Sequence, residues 1–404
     1  MVSVATPIEA APSVGAVAAP ATRIASVDIL RGIVMVVMAL DHVRDYFTNV
    51  RFAPEDLTQT NAALFLTRWI THFCAPTFVF LAGTGAFLSL GRGRDVKALS
   101  RFLWTRGLWL VVLEFTFVRS AWLFSVSPAA GFWVQVIWAL GISMIVLAAL
   151  VRLPLPWIAA FGIVMIAGHN LLDGVAVSPT TPLGWLWSVL HVQGPLIYEG
   201  QPVLFVAYPV VPWIGVMAAG YAFGALLQRP EAERRRTLLR LGGAMTAAFV
   251  LIRLVNVYGD PQPWSVQKDA VTTVLSFLNT TKYPPSLDYL LMTLGPAIMS
   301  LVAFERWTGP VARFFSVFGR VPLFYYLAHV ALAHLLAGLT ALAMGFGSDV
   351  LTGNVFFSPT QGWGFGLGVV YLVWFVVILL LYLPCRWYAD LKARRRDLVL
   401  LSYL

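Results

Sequence analysis

The sequence predicts an all-α polytopic membrane protein, a bundle of about ten transmembrane helices with both termini cytoplasmic. Three observations lead there. The 404 residues are 59% hydrophobic and only 12% charged, about half the charge share of a soluble domain. A single soluble core stops growing at roughly 250–300 residues, so the remaining apolar surface has to meet lipid. Ten segments reach the ~20 apolar residues that cross a ~30 Å hydrocarbon core at 1.5 Å per residue, and basic residues gather in alternate loops between them.

The segments run over 26–48, 64–90, 102–124, 131–151, 157–173, 203–227, 239–257, 286–304, 316–344 and 364–385. The fifth is short, and its failure to span would invert every later orientation. Arg92, Arg94, Lys97 and Arg101 follow the second segment, Arg229, Arg234, Arg235, Arg236 and Arg240 the sixth, and Arg306 and Arg313 the eighth. Arg386, Lys392, Arg394, Arg395 and Arg396 follow the tenth. The opposite loops hold scattered charges such as Arg51, Lys268 and Lys282. The formal net charge of +9 is therefore a topology signal, and no nucleic-acid partner is expected.

Residues 1–22 carry Glu9 as their only charge and read as a disordered cytoplasmic tail. No basic residue precedes an apolar core there, as a cleaved signal would require. Residues 23–388 form the membrane domain, and 389–404 a basic cytoplasmic tail. Two long outer loops, 174–202 and 258–285, contain Trp185, Trp187, Tyr198 and Trp264 and suit the interface or a cavity mouth. Cys74 and Cys385 fall in distant apolar segments, so neither a disulfide framework nor a Cys-based metal site is indicated.

An ionisable side chain inside a span costs about 2.5–3.5 kcal/mol and usually faces a bundle interior or wet cavity. Such residues form the candidate list. In the first segment Asp28 and Arg31 are i, i+3 neighbours on one helix face. Their bland reading is a local ion pair; their functional one is phosphate binding by Arg31. His42 lies 11 residues further, roughly 16 Å along the axis, in the outer half of the membrane. Asp41, Arg44 and Asp45 crowd it, and Asp45 can orient the imidazole as a general base requires. The second segment brings Arg68 and His72 to a similar depth, followed by Pro76 and Gly83-Thr84-Gly85. The two histidines either share a site or are separate buried polar groups.

The ninth segment carries Arg320 at the cytoplasmic level of Arg31, then Tyr325, Tyr326, His329 and His334, with Tyr325 and His329 stacked i, i+4. Lys282, Tyr283 and Asp288 enter the eighth segment from the outer mouth, with Ser286 placed to cap the helix after a Pro pair. Tyr208-Pro209-Val210-Val211-Pro212-Trp213 breaks the sixth segment at membrane depth, which normally lines a cavity. Arginines mark the inner level and histidines the outer half. That sorting suits an anionic donor from the cytoplasm and an acceptor from outside.

Five stretches in order along the chain resemble the heparan-α-glucosaminide N-acetyltransferase catalytic-domain family of transmembrane acyltransferases, its prokaryotic branch most closely. They are Arg23 to His42, His72 to Gly83, Tyr208 to Gly220, Lys282 to Pro296 and Phe318 to His334. The resemblance implies transfer of an acetyl or acyl group from cytoplasmic acyl-CoA to a sugar amine or hydroxyl on the outer side of a bacterial cytoplasmic membrane. It also implies a ten-helix core and a catalytic histidine. In the lysosomal branch that histidine lies in the first outer loop. Residues 48–63 here contain none, so the role passes to His42 or His72, with His329 next.

Attack on a thioester needs no metal, only a base and donors for the oxyanion. His42 with Asp45 suits the first task. Tyr325, His72 or Lys282 suits the second. Arg31 and Arg320, with Asp28 and Tyr325 beside them, suit the CoA end. Lys282, Tyr283, Asp288 and Trp213 suit the carbohydrate or glycoconjugate acceptor. A secondary transporter of a small anionic or sugar-like solute is the competing class, a lipid carrier or scaffold a third, and a homodimer in the lipid is left open. Against a transporter, the sequence shows no inverted repeat.

Overall fold

The computed structural model describes residues 24–91, 93–127, 131–347, 361–395, 397, 398, 401 and 403. The expected tail over residues 1–22 lies outside them, as do Arg92 and Arg396. In chain order the helices are α1 (Ala25–Phe47), α2 (Ala62–Thr71), α3 (Cys74–Leu90), α4 (Val96–Leu113), α5 (Arg119–Leu123), α6 (Val136–Leu150), α7 (Leu155–Gly168), α8 (Pro182–Leu190), α9 (Val211–Phe223), α10 (Glu231–Val255), α11 (Ala270–Leu278), α12 (Leu287–Glu305), α13 (Pro310–Arg320), α14 (Pro322–Ala343) and α15 (Leu367–Arg394). Among the described residues there are also three short strands, β1 (Trp133–Val134), β2 (Gly194–Tyr198) and β3 (Gln201–Val206).

Among the described residues seven stretches are long and apolar enough to cross a membrane: Ala62–Leu90, Leu155–Leu172, Val211–Gln228, Glu231–Val255, Leu287–Glu305, Pro322–Ala343 and Leu367–Arg394. The protein is a mostly helical integral membrane protein. α1 falls outside that set because it carries Asp28, Arg31, Asp41, Arg44 and Asp45, and α6 because it is short. α1 nevertheless packs at the centre, against α3, α12, α13, α14 and α15. In the apolar stretches of Leu155–Leu172, Glu231–Val255 and Leu367–Arg394 only 22% of the residues are buried, and Ile163, Leu251, Phe375 and Leu379 point outward, the surface a lipid-facing ring needs.

Each expected span contains helix, but proline divides several of them. The second segment is α2 plus α3, joined through His72 and Phe73. Pro76 has no N–H to give the carbonyl four residues back. That carbonyl belongs to His72, and it accepts instead from Tyr289 Oη at 2.8 Å. The ninth segment breaks at Val321, because Pro322 disfavours helix in the residue before it. The third holds a π-helical turn, Glu114–Val118, between α4 and α5. As expected, Ser286 caps α12 by accepting from Tyr289 N.

Two expectations need correction. The chain is not all-α: β1, β3 and β2 form a sheet in that order, with β1 parallel and β2 antiparallel to β3. The sixth segment, expected to be helical from 203, begins as β3 and turns helical only at Val211. Pro209 biases Tyr208 toward extended backbone, and Pro212 sits in the first turn of α9, where its missing N–H costs nothing. At the other end of the chain α15 continues to Arg394, into the stretch read as a tail.

Candidate active site

Two cavities lie along the central helices. The first, about 420 Å³, is lined by Arg31, Arg94, Arg106, Arg320 and Lys392 together with Phe78, Leu81, Phe102 and Pro322. Close backbone contact builds it. A Cβ on Gly32 would sit 1.8 Å from the Phe315 carbonyl oxygen, and one on Gly319 1.8 Å from that of Asp28. Only glycine lets α1 and α13 approach so closely, and the next residues in sequence, Arg31 and Arg320, are thereby brought to one cavity. Arg31 donates to the carbonyls of Gly319 (3.3 Å) and Leu81 (3.4 Å) and pairs with Asp28 at 3.6 Å. Asp28 and Tyr325 are buried outside the cavity wall.

The second cavity, about 610 Å³, lies further along α1 and is lined by Met38, Asp41, His42, Arg44, Asp45, Glu55, Arg68, Trp122, Lys282 and Tyr283 among others. The gap between the cavities is small. Along α1 the walls run from Arg31 to Met38, about 10 Å, and along α3 from Ala75 to Phe78, about 5 Å.

A charge relay frames the second cavity. Asp45 bonds Arg44 at 2.7 Å, Arg44 bonds Asp41 at 2.8 Å, Asp41 bonds Arg68, and Arg68 bonds Glu55 at 2.6 Å. Burial alone would raise the Glu55 carboxyl, but the Arg68 guanidinium, helped by His72, holds it well below the usual carboxylate range. For the Tyr283 hydroxyl, likewise, burial is outweighed by Lys282 and Arg68, and the group sits below its ordinary value.

His42 is held by His329, not by Asp45 as expected from sequence, since Asp45 is turned onto Arg44. His42 Nδ1 lies 2.7 Å from His329 Nε2, and His329 Nδ1 lies 2.8 Å from the Tyr325 carbonyl. A carbonyl only accepts, so His329 Nδ1 carries the hydrogen. Neutral His329 then offers a lone pair at Nε2, and His42 Nδ1 donates to it. His42 is left with its lone pair on Nε2, the atom a general base uses. Trp122 packs edge-on against the His42 ring at 4.9 Å.

His72 stands apart. It is buried beside Tyr289, 3.6 Å from Glu55, and does not line the cavity. Asp288 is buried 3.8 Å from Arg253, and Trp213 is fully buried against Tyr208, so neither expected acceptor contact reaches the wall. Arg31 with Arg320, and His42 with Lys282 and Tyr283, are brought together. Sequence reading missed Glu55, an acid in the loop between α1 and α2 with no periodicity to mark it. It also missed Arg94 and Lys392 as cavity residues, since in sequence they were topology markers only, and Arg106, which lies inside the third expected segment.

A family model described as heparan-alpha-glucosaminide N-acetyltransferase, catalytic, matches residues 23–255. That is more than half of the chain. The chain belongs to this family. No curated protein matches its sequence. The N-acetyltransferase match covers α1 to α10 and so includes Arg31, His42, Arg68 and His72. Lys282, Arg320, Tyr325 and His329 lie beyond it and join the site through the packing of α12, α13 and α14 on α1.

Proposed function

We propose that the protein transfers an acetyl or related acyl group from cytoplasmic acyl-CoA to an amine or hydroxyl of a carbohydrate on the other side of a bacterial cytoplasmic membrane. One observation carries the reading: a cavity lined by five cationic side chains and a mixed-charge cavity holding His42 lie within about one to two helical turns of each other. The basic cavity suits CoA phosphates, which Arg31 and Arg320 bind as charge-assisted partners. An extended pantetheine arm then reaches past Tyr325 toward His42. On α14, Pro322 meets the basic cavity and His329 meets His42, so Tyr325 lies between, its hydroxyl buried without a hydrogen-bond partner.

In this reading His42 Nε2 takes the proton of the acceptor N–H or O–H as that atom attacks the thioester carbonyl. Tyr325 Oη or Lys282 donates to the oxyanion. Collapse of the tetrahedral intermediate breaks the C–S bond, and the His42 imidazolium returns its proton to the CoA thiolate. The alternating acids and arginines around the second cavity offer hydrogen-bond acceptors and donors suited to sugar hydroxyls.

Purified protein in detergent is expected to bind acetyl-CoA and to release free CoA thiol when an amino sugar is added. A carrier of small solutes would release none. Arg31→Ala and Arg320→Ala are each expected to weaken CoA binding by about 1.5–3 kcal/mol, with Lys substitutions recovering only part where the contact is bidentate. Unchanged affinity in both variants would reject the donor site.

The basic loops support a topology of ten spans, with both termini and the basic cavity on the cytoplasmic side. Reporter fusions after residues 95, 232 and 400 are expected to read cytoplasmic, and one after residue 270 external. An external reading at 232 would overturn the topology.

A further inference from the structure

Two of the histidines that transfer does not use, His169 and His191, lie together. His169 follows α7 in a short 3₁₀ turn, and His191 ends α8. Both are almost fully buried, at 3% and 2% exposure. His169 Nδ1 is 3.4 Å from His191 Nε2, which is 3.8 Å from Asp173 Oδ1. One ligand atom from each of the three residues lies within 4.8 Å of the others.

We propose that His169, His191 and Asp173 bind a zinc ion. With Zn–N and Zn–O bonds of about 2.0–2.2 Å, a tetrahedral ion holds its ligand atoms roughly 3.3–3.5 Å apart. Two of the three edges are already within a few tenths of an ångström of that. Two imidazoles and a carboxylate are a zinc donor set, and the exposed side of Asp173 leaves the fourth position to water. His191 Nε2 also sits 2.9 Å from the His169 carbonyl, a contact the ion would replace.

The surroundings orient the ligands as an outer shell does. Asn170 Nδ2 donates to Asp173 Oδ2 at 2.8 Å, leaving Oδ1 toward His191, and the Trp187 ring stacks on His191 at 5.0 Å. Asn170 Oδ1 in turn accepts from Leu287 N at 2.9 Å, the first residue of α12. The ion would therefore clamp the connection that leads from His191 into Gln193 and the strand pair to the start of α12, just past Lys282 and Tyr283. Gln193, Lys282 and Tyr283 line the second cavity. The ion would fix two walls of that cavity.

Zinc binding does not depend on the transferase reading; only the assignment of the clamped cavity to the acceptor rests on it. The test uses full-length protein with a tag that contains no histidine, stripped with EDTA, titrated with zinc alone and assayed for bound metal. One zinc per chain is expected, with a melting temperature that rises with zinc concentration. His191→Gln and Asp173→Asn are expected to lose the bound zinc and the zinc-dependent rise. Asn170→Ala, which keeps all three ligands, is expected to bind zinc about 10–100-fold more weakly. Cobalt in place of zinc should give the intense visible absorption of a tetrahedral site. Wild-type protein that binds less than stoichiometric zinc, or whose melting temperature ignores zinc, would overturn the proposal even if the variants fail to fold. Equal zinc in wild type and His191→Gln would show adventitious metal and overturn it too.

Discussion

His42→Ala is expected to lower the rate of acyl transfer by about 10²–10⁴-fold, the usual cost of removing a general base. Acetyl-CoA affinity should survive, because the cavity that holds the arginines lies roughly 16 Å away along α1. The partner histidine separates base from positioning residue. His329→Ala removes the acceptor that fixes the His42 tautomer and is expected to cost less than His42→Ala. His329→Gln should restore part of that loss, since its amide oxygen accepts the same N–H. His72→Ala should leave measurable transfer, because His72 lies off the cavity wall. Transfer at the wild-type rate in His42→Ala, with a dead His72→Ala, would reverse the assignment.

Arg68→Leu is the substitution expected to cost most in stability. Arg68 bonds both Asp41 and Glu55 in a setting where its side chain is only 10% exposed. Its loss leaves Glu55 without its arginine and Asp41 with Arg44 alone, and breaking one side of a buried pair costs about 3–5 kcal/mol. The comparison is Arg229→Ala. Arg229 pairs with Glu233 where both are about half exposed, a contact worth about 0–1 kcal/mol. Thermal unfolding in detergent should therefore drop clearly for Arg68→Leu and hardly at all for Arg229→Ala. Adding Glu55→Gln to Arg68→Leu should recover part of the loss. Equal melting temperatures for the two single variants would contradict the ion network.

Much of the site's layout was open to a reader of the sequence. Arg31 and Arg320 were placed at one level by counting residues from the ends of apolar segments, and they do share a cavity. His42 was placed deep in the first span by the same count. The partner of His42 was not readable. Asp45 is the acid at the right helical spacing, yet Arg44 beside it competes for that carboxylate at 2.7 Å, and a charged neighbour wins over a neutral imidazole. The acceptor His329 lies 287 residues away, and no local rule connects the two. His169 and His191 raised no signal either, since they stand 22 positions apart across turn and helix and only the fold of the connection between α7 and α9 closes the distance.

What the sequence determined by itself is set by solvent. Apolar runs of spanning length must become helix in lipid, and positive charge in alternate loops orders them, because both follow from the cost of exposing backbone or charge to hydrocarbon. Composition therefore sufficed for a polytopic helical protein, and charge at depth for a short list of functional residues. Tertiary structure alone decided which of those residues meet. Gly32 and Gly319 let α1 and α13 touch backbone to backbone, which puts two arginines in one cavity. Pro76 frees the His72 carbonyl for Tyr289, which keeps His72 among packed side chains beside the cavity. Such choices depend on shape at contacts between segments distant in sequence, and neither hydropathy nor spacing encodes shape.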